Sequence, residues 1–169
     1  MKHLLIILCL MCLTTAKAQS KAPQKPSATV ISKQFVDIVG ESLDGKKARL
    51  SDFIGKGKYV LVDMWASWCP PCKAEIPNIA SLHKTYKDKG LVVVGVATWD
   101  KTENIAKAVK ELGITWQQII DVNNDVTNKY GVKGIPHIIL FAPDGSIVAR
   151  NLRGQEMIDT VSKTIKNKR

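Results

Sequence analysis

Two cysteines separated by two residues, Cys69 and Cys72, are the side chains in this sequence best suited to chemistry. A mostly apolar stretch that favours a buried strand precedes them, and a stretch with helical periodicity follows them. The pair therefore falls at the start of a helix, where free backbone N–H groups and the helix dipole favour a thiolate over a thiol. Because the thiolate is the form of cysteine that attacks disulfides, the position and spacing predict thiol–disulfide exchange.

The two cysteines are expected to act in a fixed order. Cys69 comes first and should lie partly exposed at the helix start, as the nucleophile that forms a mixed disulfide with a partner. Cys72 lies one turn further in and should be the resolving cysteine, which attacks the mixed disulfide and releases the reduced partner. Pro70 and Pro71 between them stiffen the loop and remove two backbone donors that could have contacted the sulfurs.

The cysteine count argues against a structural or metal-binding role. The chain has four cysteines, and the other two, Cys9 and Cys12, lie in an apolar leader. A disulfide that closes so small a loop restricts the unfolded chain little, so Cys69 and Cys72 are not expected to serve stability. Zinc normally takes four ligands, and no second pair remains once the leader is removed. We therefore expect no metal, and no cofactor apart from the redox-active disulfide itself.

The N-terminal segment is typical of a secretory signal peptide. A basic start precedes the apolar run 4–13, and Ala16-Lys17-Ala18 forms a cleavage site of small residues. We expect residues 1–18 to be removed on export to the periplasm or another extracytoplasmic compartment. An uncleaved anchor is the alternative, but the run is shorter than the roughly 20 residues that span a membrane. The mature form is therefore expected to have no stable membrane span.

The rest of the chain divides into a linker and one domain. Residues 19–33 contain two prolines and are mostly polar, which is typical of a linker, and residues 34–169 suit a single domain. The formal net charge is +10, from 25 basic and 15 acidic residues, but the basic residues are scattered along the chain. This pattern indicates a solvated basic surface and no nucleic-acid partner.

Hydrophobic patterning predicts an α/β fold. Short β-prone runs with turn signals lie at both ends of the domain, and strands alternate with helices in between. The order predicts a mixed central sheet with helices on both faces and an N-terminal β-hairpin extension. The expected strands are Phe35–Val39, Lys46–Leu50, Tyr59–Ala66, Leu91–Ala97, Trp116–Ile120, His137–Phe141 and Ile147–Arg150. Three of the expected helices are 71–89, 124–130 and 155–166. A fourth is expected to be capped by Asp100 or Thr102 and to end at Gly113.

The run from Val60 to Pro77, which contains Trp-Cys-Pro-Pro-Cys, resembles the thioredoxin superfamily and is most similar to the exported TlpA/ResA-like thiol–disulfide oxidoreductases. Gly134-Ile135-Pro136 resembles the cis-proline loop of that superfamily, and the resemblance covers roughly residues 34–167. It implies a thioredoxin-like fold and a dithiol reductase of exported proteins, for example in cytochrome c maturation or general disulfide reduction. Its partners would be protein thiols and disulfides, together with an unidentified redox protein that recharges the dithiol.

The resemblance also implies where a partner binds. Pro136 is expected to follow a cis peptide bond and to shape a groove for an extended chain, with Ile135 offering its backbone groups. Trp68 is expected to cover the surface of the site and to contact partners, and Pro70 to lie within the same binding surface. Trp99 is expected to pack in the structure rather than to act.

Two acids match proton-relay positions of the family. Asp63 matches a buried carboxylate below the resolving cysteine, and its raised pKa would let it take a proton from Cys72. Glu75 matches a second acid near the motif, and its alternative role is an exposed first-turn acid that the helix dipole favours. Which acid dominates stays open.

Other functions on the same fold also stay open. An oxidase or isomerase would use the same cysteines and differ in reduction potential, which the sequence does not give. A peroxiredoxin-like peroxidase would have a threonine three residues before the attacking cysteine, where this chain has Ala66. A copper carrier would space its cysteines by three residues and add a later histidine; the spacing here disfavours it, although His137 supplies a histidine. His137 either contacts the site or points into the opposite layer as a strand residue.

Overall fold

Seven strands and four α-helices make up residues 34–167, the part of the chain that this computed structural model describes. The expected signal peptide, 1–18, and linker, 19–33, lie outside the described residues. The strands are β1 (Val39–Glu41), β2 (Lys47–Arg49), β3 (Tyr59–Trp65), β4 (Leu91–Ala97), β5 (Gln117–Ile120), β6 (His137–Phe141) and β7 (Ile147–Arg150). The helices are α1 (Pro70–Tyr86), α2 (Thr102–Glu111), α3 (Asp125–Tyr130) and α4 (Gly154–Lys166), with 3₁₀ turns at Leu50–Asp52 and Lys87–Lys89. None of the helices in 34–167 combines the length and apolar character that crossing a bilayer requires.

The strands form one mixed sheet in the order β2-β1-β5-β4-β3-β6-β7. β3, β4 and β5 run parallel at the centre, and the strands on either side pair antiparallel. Parallel neighbours need a crossover connection, which α1 supplies between β3 and β4 and α2 supplies between β4 and β5. The β1–β2 hairpin is the N-terminal extension that the sequence predicts.

Apolar side chains cover both faces of the sheet. On one face, Leu61 and Trp65 of β3 pack with residues of α1, α2 and α4. On the other face, Val60, Val62 and Met64 pack with α3 and with the segment around the β1–β2 hairpin. The central strand is therefore buried on both sides, which accounts for its nearly continuous apolar sequence. The predicted mixed sheet with helices on both faces is confirmed.

Helix α1 begins five residues after β3 ends and lies across the first of these cores. Its buried side chains Cys72, Ile76 and Ile79 recur at spacings of three and four residues, so they share one face of the helix. This face packs on Leu61 and Trp65 of β3. The apolar stripe thus fixes the position of the helix start, and of the cysteines there, relative to the end of the central strand.

The first strand begins later than the sequence indicates. Phe35–Val39 is expected as a strand, but residues 35–38 pair with no neighbouring strand and β1 begins at Val39. At Val36 the backbone bonds to a side chain: the Val36 N–H donates to the Tyr130 hydroxyl at 3.0 Å, and that hydroxyl donates to the Val36 carbonyl at 2.6 Å. A long-range side-chain contact thus overrides the local preference for a strand, and the prediction for this segment is wrong.

The Tyr130 hydroxyl is expected to hold the N-terminal segment to the domain. Tyr130→Phe removes both bonds to Val36 at a buried position, and we expect it to lower the free energy of unfolding by about 2 kcal/mol in urea titrations. Tyr86→Phe is the matched control, because Tyr86 packs in the opposite core and its hydroxyl makes neither of these bonds. Equal losses in the two variants would contradict the role of Tyr130.

Candidate active site

Cys69 and Cys72 are joined by a disulfide at the N-terminus of α1, with their Cα atoms 5.3 Å apart. Cys69 is the residue that caps the helix, and Pro70 and Pro71 are its first two helical residues. The backbone N–H of Cys72 donates to Cys69 Sγ at 3.2 Å. Because the two prolines have no N–H, this is the one backbone donor from the described residues that reaches Cys69 Sγ. The strand-to-helix placement of the pair is as the sequence predicts.

Cys69 is more buried than expected. Only 2 % of its surface is exposed, against none for Cys72, so the prediction of a partly exposed nucleophile is wrong for this disulfide state. The Ile135 carbonyl oxygen lies 3.8 Å from Cys69 Sγ. Since a disulfide sulfur carries no proton, this is a packing contact and not a hydrogen bond. Together with the bond to Cys72, it leaves the sulfur little open surface.

The Ile135–Pro136 peptide bond is cis, as the resemblance implies. Ile135 is half-buried and packs against both cores. The carbonyl of Pro136 accepts a hydrogen bond from Arg153 Nη2 at 2.9 Å. The loop before β6 therefore contacts the disulfide on one side and is tied to the β7–α4 connection on the other.

Asp63 is a buried carboxyl in the middle of β3. Side chains alternate between the faces of a strand, so Asp63 shares the face of Leu61 and Trp65, against which the cysteines pack. Asp63 is 1 % exposed, and neither carboxylate oxygen has a hydrogen-bond partner among the described residues. Burial first, and the charge of Glu75 second, raise the pKa of Asp63 to about 7.

Glu75 is half-buried on α1 and is held by the start of α4. Both of its carboxylate oxygens accept from the Gly154 N–H, at 3.1 and 3.0 Å. Oε2 also accepts from Asn78 Nδ2 at 3.2 Å. Glu75 is therefore not a freely solvated first-turn acid. Its carboxylate has hydrogen-bond partners, whereas the carboxylate oxygens of Asp63 have none among the described residues. The Glu75 carboxylate links α1 to the N-terminus of α4.

A hydrogen bond joins Trp68, the residue before Cys69, to the backbone of the loop after β4. Trp68 is 57 % exposed, and its indole N–H donates to the Trp99 carbonyl at 2.9 Å. Trp99 has a φ of 57°, which is rare for a bulky residue, and is itself 36 % exposed. Asp100 accepts from the Ser67 N–H at 2.7 Å, so the loop after β4 supports the residues just before Cys69. Trp99 thus contacts Trp68 through its backbone carbonyl, and the expectation that it packs rather than acts stays a prediction. Asp100 does not cap α2, whose N-cap is Lys101.

His137 lies on the sheet face opposite the cysteines. It pairs with Met64 across the β3–β6 ladder and therefore shares the face of Met64. This is the second of the two placements that the sequence leaves open. Burial, together with the charges of Arg150 and Arg153, lowers the pKa of His137 to about 4, so its ring is neutral at physiological pH. Within residues 34–167, no three or more His, Cys, Asp or Glu side chains form a group that could hold a metal ion.

Arg153 lies next to the site, although no motif in the sequence marks it. Its bond to Pro136 joins residues 17 apart in sequence, and the Glu75–Gly154 bond joins residues 79 apart. In the sequence, Gly154 at the start of the last helix indicates a turn, and in the structure this glycine has a φ of 49°. Such a signal marks a turn but not the groups that the turn contacts.

Comparisons with known proteins agree with this geometry. A family model described as the AhpC/TSA family matches residues 31–150. The chain is 31 % identical over 121 residues to the thiol-disulfide oxidoreductase ResA of Geobacillus thermodenitrificans, covering 72 % of this chain and 68 % of ResA.

Among solved structures, the thioredoxin domain of a thiol-disulfide oxidoreductase from Bacteroides vulgatus is 38 % identical, with a TM-score of 0.72, and covers 78 % of this chain and 95 % of that domain. A putative thiol:disulfide interchange protein DsbE from Chlorobium tepidum is 25 % identical, with a TM-score of 0.72 and coverage of 82 % and 99 %. The thioredoxin-like fold is confirmed.

The buried carboxyl of Asp63 is expected to make the oxidised protein less stable as the pH rises. Between about pH 4 and pH 7 the folded protein keeps the Asp63 proton that the unfolded chain releases, so the free energy of unfolding falls across this window. Asp63→Asn removes the ionisation and should be more stable than the wild type by about 4 kcal/mol at pH 8, and nearly equal to it at pH 4.

Urea titrations of the oxidised proteins at several pH values measure this difference. Asp88→Asn is the matched control, because it makes the same side-chain change at an exposed acid just after α1. A stability difference between Asp63→Asn and the wild type that does not change with pH would contradict the raised pKa.

Proposed function

Because this chain belongs to the AhpC/TSA family and is a thiol–disulfide oxidoreductase with a thioredoxin-like fold, we propose that it acts as a dithiol reductase of disulfides in extracytoplasmic proteins. Cys69 and Cys72, joined at the start of α1, support the class of reaction. The relatives are a thiol-disulfide oxidoreductase and a putative thiol:disulfide interchange protein, which supports protein thiols and disulfides as partners. The signal-like sequence of residues 1–18 supports export to the periplasm or a similar compartment, where cytochrome c maturation or general disulfide reduction would use this chemistry.

The cycle moves two electrons from the dithiol to the partner. In the reduced protein, the Cys69 thiolate attacks one sulfur of a partner disulfide, forms a mixed disulfide and expels the partner's other sulfur as a thiolate. Cys72, having lost its proton, then attacks Cys69 Sγ, which restores the internal disulfide and releases the partner's first sulfur as a thiolate. A second thiol protein must return two electrons before the next turnover, and no bound cofactor takes part.

Asp63 is the proposed acceptor of the Cys72 proton. Its carboxyl lies on the sheet face against which Cys72 packs, and a pKa of about 7 suits a group that exchanges protons near neutral pH. Both carboxylate oxygens lack a hydrogen-bond partner among residues 34–167, so proton transfer would break no existing bond. Glu75, which the Gly154 N–H holds in place, is proposed to act on this step through its charge, by keeping the pKa of Asp63 raised.

The observation that supports the reductase direction is the small number of donors at Cys69 Sγ. A strongly oxidising member of this superfamily owes its potential to a stabilised reduced form. Here Pro70 and Pro71 supply no N–H, and among the described residues the Cys72 N–H is the one donor at this sulfur. Since His137 lies on the opposite face, it adds no donor to the thiolate. A weakly stabilised thiolate favours giving electrons away.

The surface around the disulfide suits an extended partner chain. Trp68 and Pro70 are exposed on either side of the buried Cys69, so both are available for apolar contact. Ile135, whose carbonyl lies 3.8 Å from Cys69 Sγ, is proposed to offer its backbone groups to the partner. Pro136 is proposed to shape the groove, since it places no N–H there.

The direction and order of electron transfer can be tested on insulin disulfides. With dithiothreitol as the electron source, the wild-type protein should reduce insulin, and it should leave the thiols of a reduced, unfolded protein unoxidised. Cys72→Ser should accumulate a mixed disulfide with insulin, because the second attack is lost, whereas Cys69→Ser should form none. Non-reducing gels and mass spectrometry detect the trapped species.

The two cysteine variants control for one another, because each removes one sulfur from the same helix turn. Trapping by Cys69→Ser but not by Cys72→Ser would contradict the proposed order of attack. Oxidation of protein thiols without reduction of insulin would contradict the proposed direction.

A further inference from the structure

The connection between β7 and α4 contacts both sides of the active site through two consecutive residues. Arg153 Nη2 donates to the Pro136 carbonyl at 2.9 Å, on the loop that touches Cys69 Sγ. The N–H of Gly154 donates to both carboxylate oxygens of Glu75, which lies one turn beyond Cys72 on α1. We call these two residues the Arg153–Gly154 clamp.

The chain around the clamp is itself well fixed. Leu152 is 1 % exposed, and its N–H donates to the Ile138 carbonyl at 3.1 Å. Asn151 before it has a φ of 57°, and Gly154 after it has a φ of 49°, a conformation that favours glycine. Arg153 lies between these two turns in an extended conformation and is exposed. The backbone of Arg153 is therefore held in place, whereas its side chain is exposed and extends to the Pro136 carbonyl.

The bond to Pro136 acts on the part of the loop that a partner chain would meet. A hydrogen bond to the Pro136 carbonyl fixes the peptide plane that follows the proline, and thereby the orientation of the backbone on either side of it. Because the proline has no N–H and its carbonyl already accepts from Arg153, the Ile135 N–H and carbonyl are the backbone groups of this dipeptide best suited to pair with a partner chain.

We propose that Arg153 is a positioning residue for the partner polypeptide: it holds the Ile135–Pro136 loop so that the backbone of Ile135 can pair with the chain next to the target sulfur. Arg153 touches neither sulfur and takes no part in electron transfer. The inference rests on the proposed function only in that the partner is a polypeptide, and it holds for electron flow in either direction. It requires that loss of Arg153 weakens reaction with a disulfide on a peptide and spares reaction with a small disulfide.

The test compares two disulfides that share one leaving group. The first is a neutral extended peptide whose cysteine carries a 2-thiopyridyl group, and the second is 2,2′-dithiodipyridine, which has no peptide chain. In both reactions the Cys69 thiolate of the reduced full chain forms a mixed disulfide and expels pyridine-2-thione, whose absorbance reports the rate. Both reagents are uncharged, so the charge of Arg153 does not bias the comparison.

Arg153→Met keeps the aliphatic stem and removes every donor. We expect its second-order rate constant with the peptide to fall about five- to tenfold, the size expected from the typical net free energy of one lost hydrogen bond, and its rate with dithiodipyridine to stay within about twofold of the wild type. Arg153→Lys, which keeps a cationic donor, should recover part of the peptide rate.

Arg150→Met is the matched control. Arg150 Nη2 also donates to a backbone carbonyl at 2.9 Å, that of Tyr130, but this carbonyl lies outside the loop at Cys69. Its ratio of peptide rate to dithiodipyridine rate should equal that of the wild type. Equal losses toward both reagents in Arg153→Met, or no loss toward the peptide, would overturn the proposal. Failure of the wild type to reduce insulin would instead overturn the proposed function. The ratio of peptide rate to dithiodipyridine rate would still test the role of Arg153.

Discussion

The rest of the site depends on the hydrogen bond from the Cys72 N–H to Cys69 Sγ. It exists because Cys69 caps α1, and Cys69 caps α1 because the apolar stripe of that helix packs beneath it on the central strand. With Pro70 and Pro71 in the first helical turn, the helix start offers the sulfur one donor from the described backbone instead of several. Under the proposed function, the same two prolines that make a good helix start also limit how far the thiolate is stabilised.

A second constraint is the carboxyl group in the middle of β3. Neighbouring positions of this strand are apolar and fully buried, and a residue such as valine in place of Asp63 would suit the fold better. The cost of burying Asp63 is reduced by keeping its proton to about pH 7, and Glu75 contributes to that shift. Glu75 in turn is held by Gly154, so α1, α4 and the central strand are coupled through two acids. The cost of this buried group is the reason for proposing that Asp63 transfers a proton.

Features that depend on local spacing could be predicted from the sequence. The Cys-Pro-Pro-Cys run at a strand-to-helix junction, the mixed sheet and the Ile135–Pro136 loop all follow from residues close together in the chain, aided by a family resemblance. Features that depend on distant partners could not. The burial of Cys69 involves Ile135, 66 residues away, and the support of Ser67 by Asp100 spans 33 residues. The late start of β1 follows from Tyr130, which takes both backbone groups of Val36.

The reduction potential of the Cys69–Cys72 pair tests the central claim most directly. Equilibrating the full chain with mixtures of reduced and oxidised dithiothreitol or glutathione, and counting free thiols by mass spectrometry, gives its midpoint. With one backbone donor at Cys69 Sγ, we expect a value close to the about −270 mV of thioredoxin, which suits a protein that gives electrons to disulfides. A midpoint close to the about −120 mV of a strong oxidant would contradict the reductase direction.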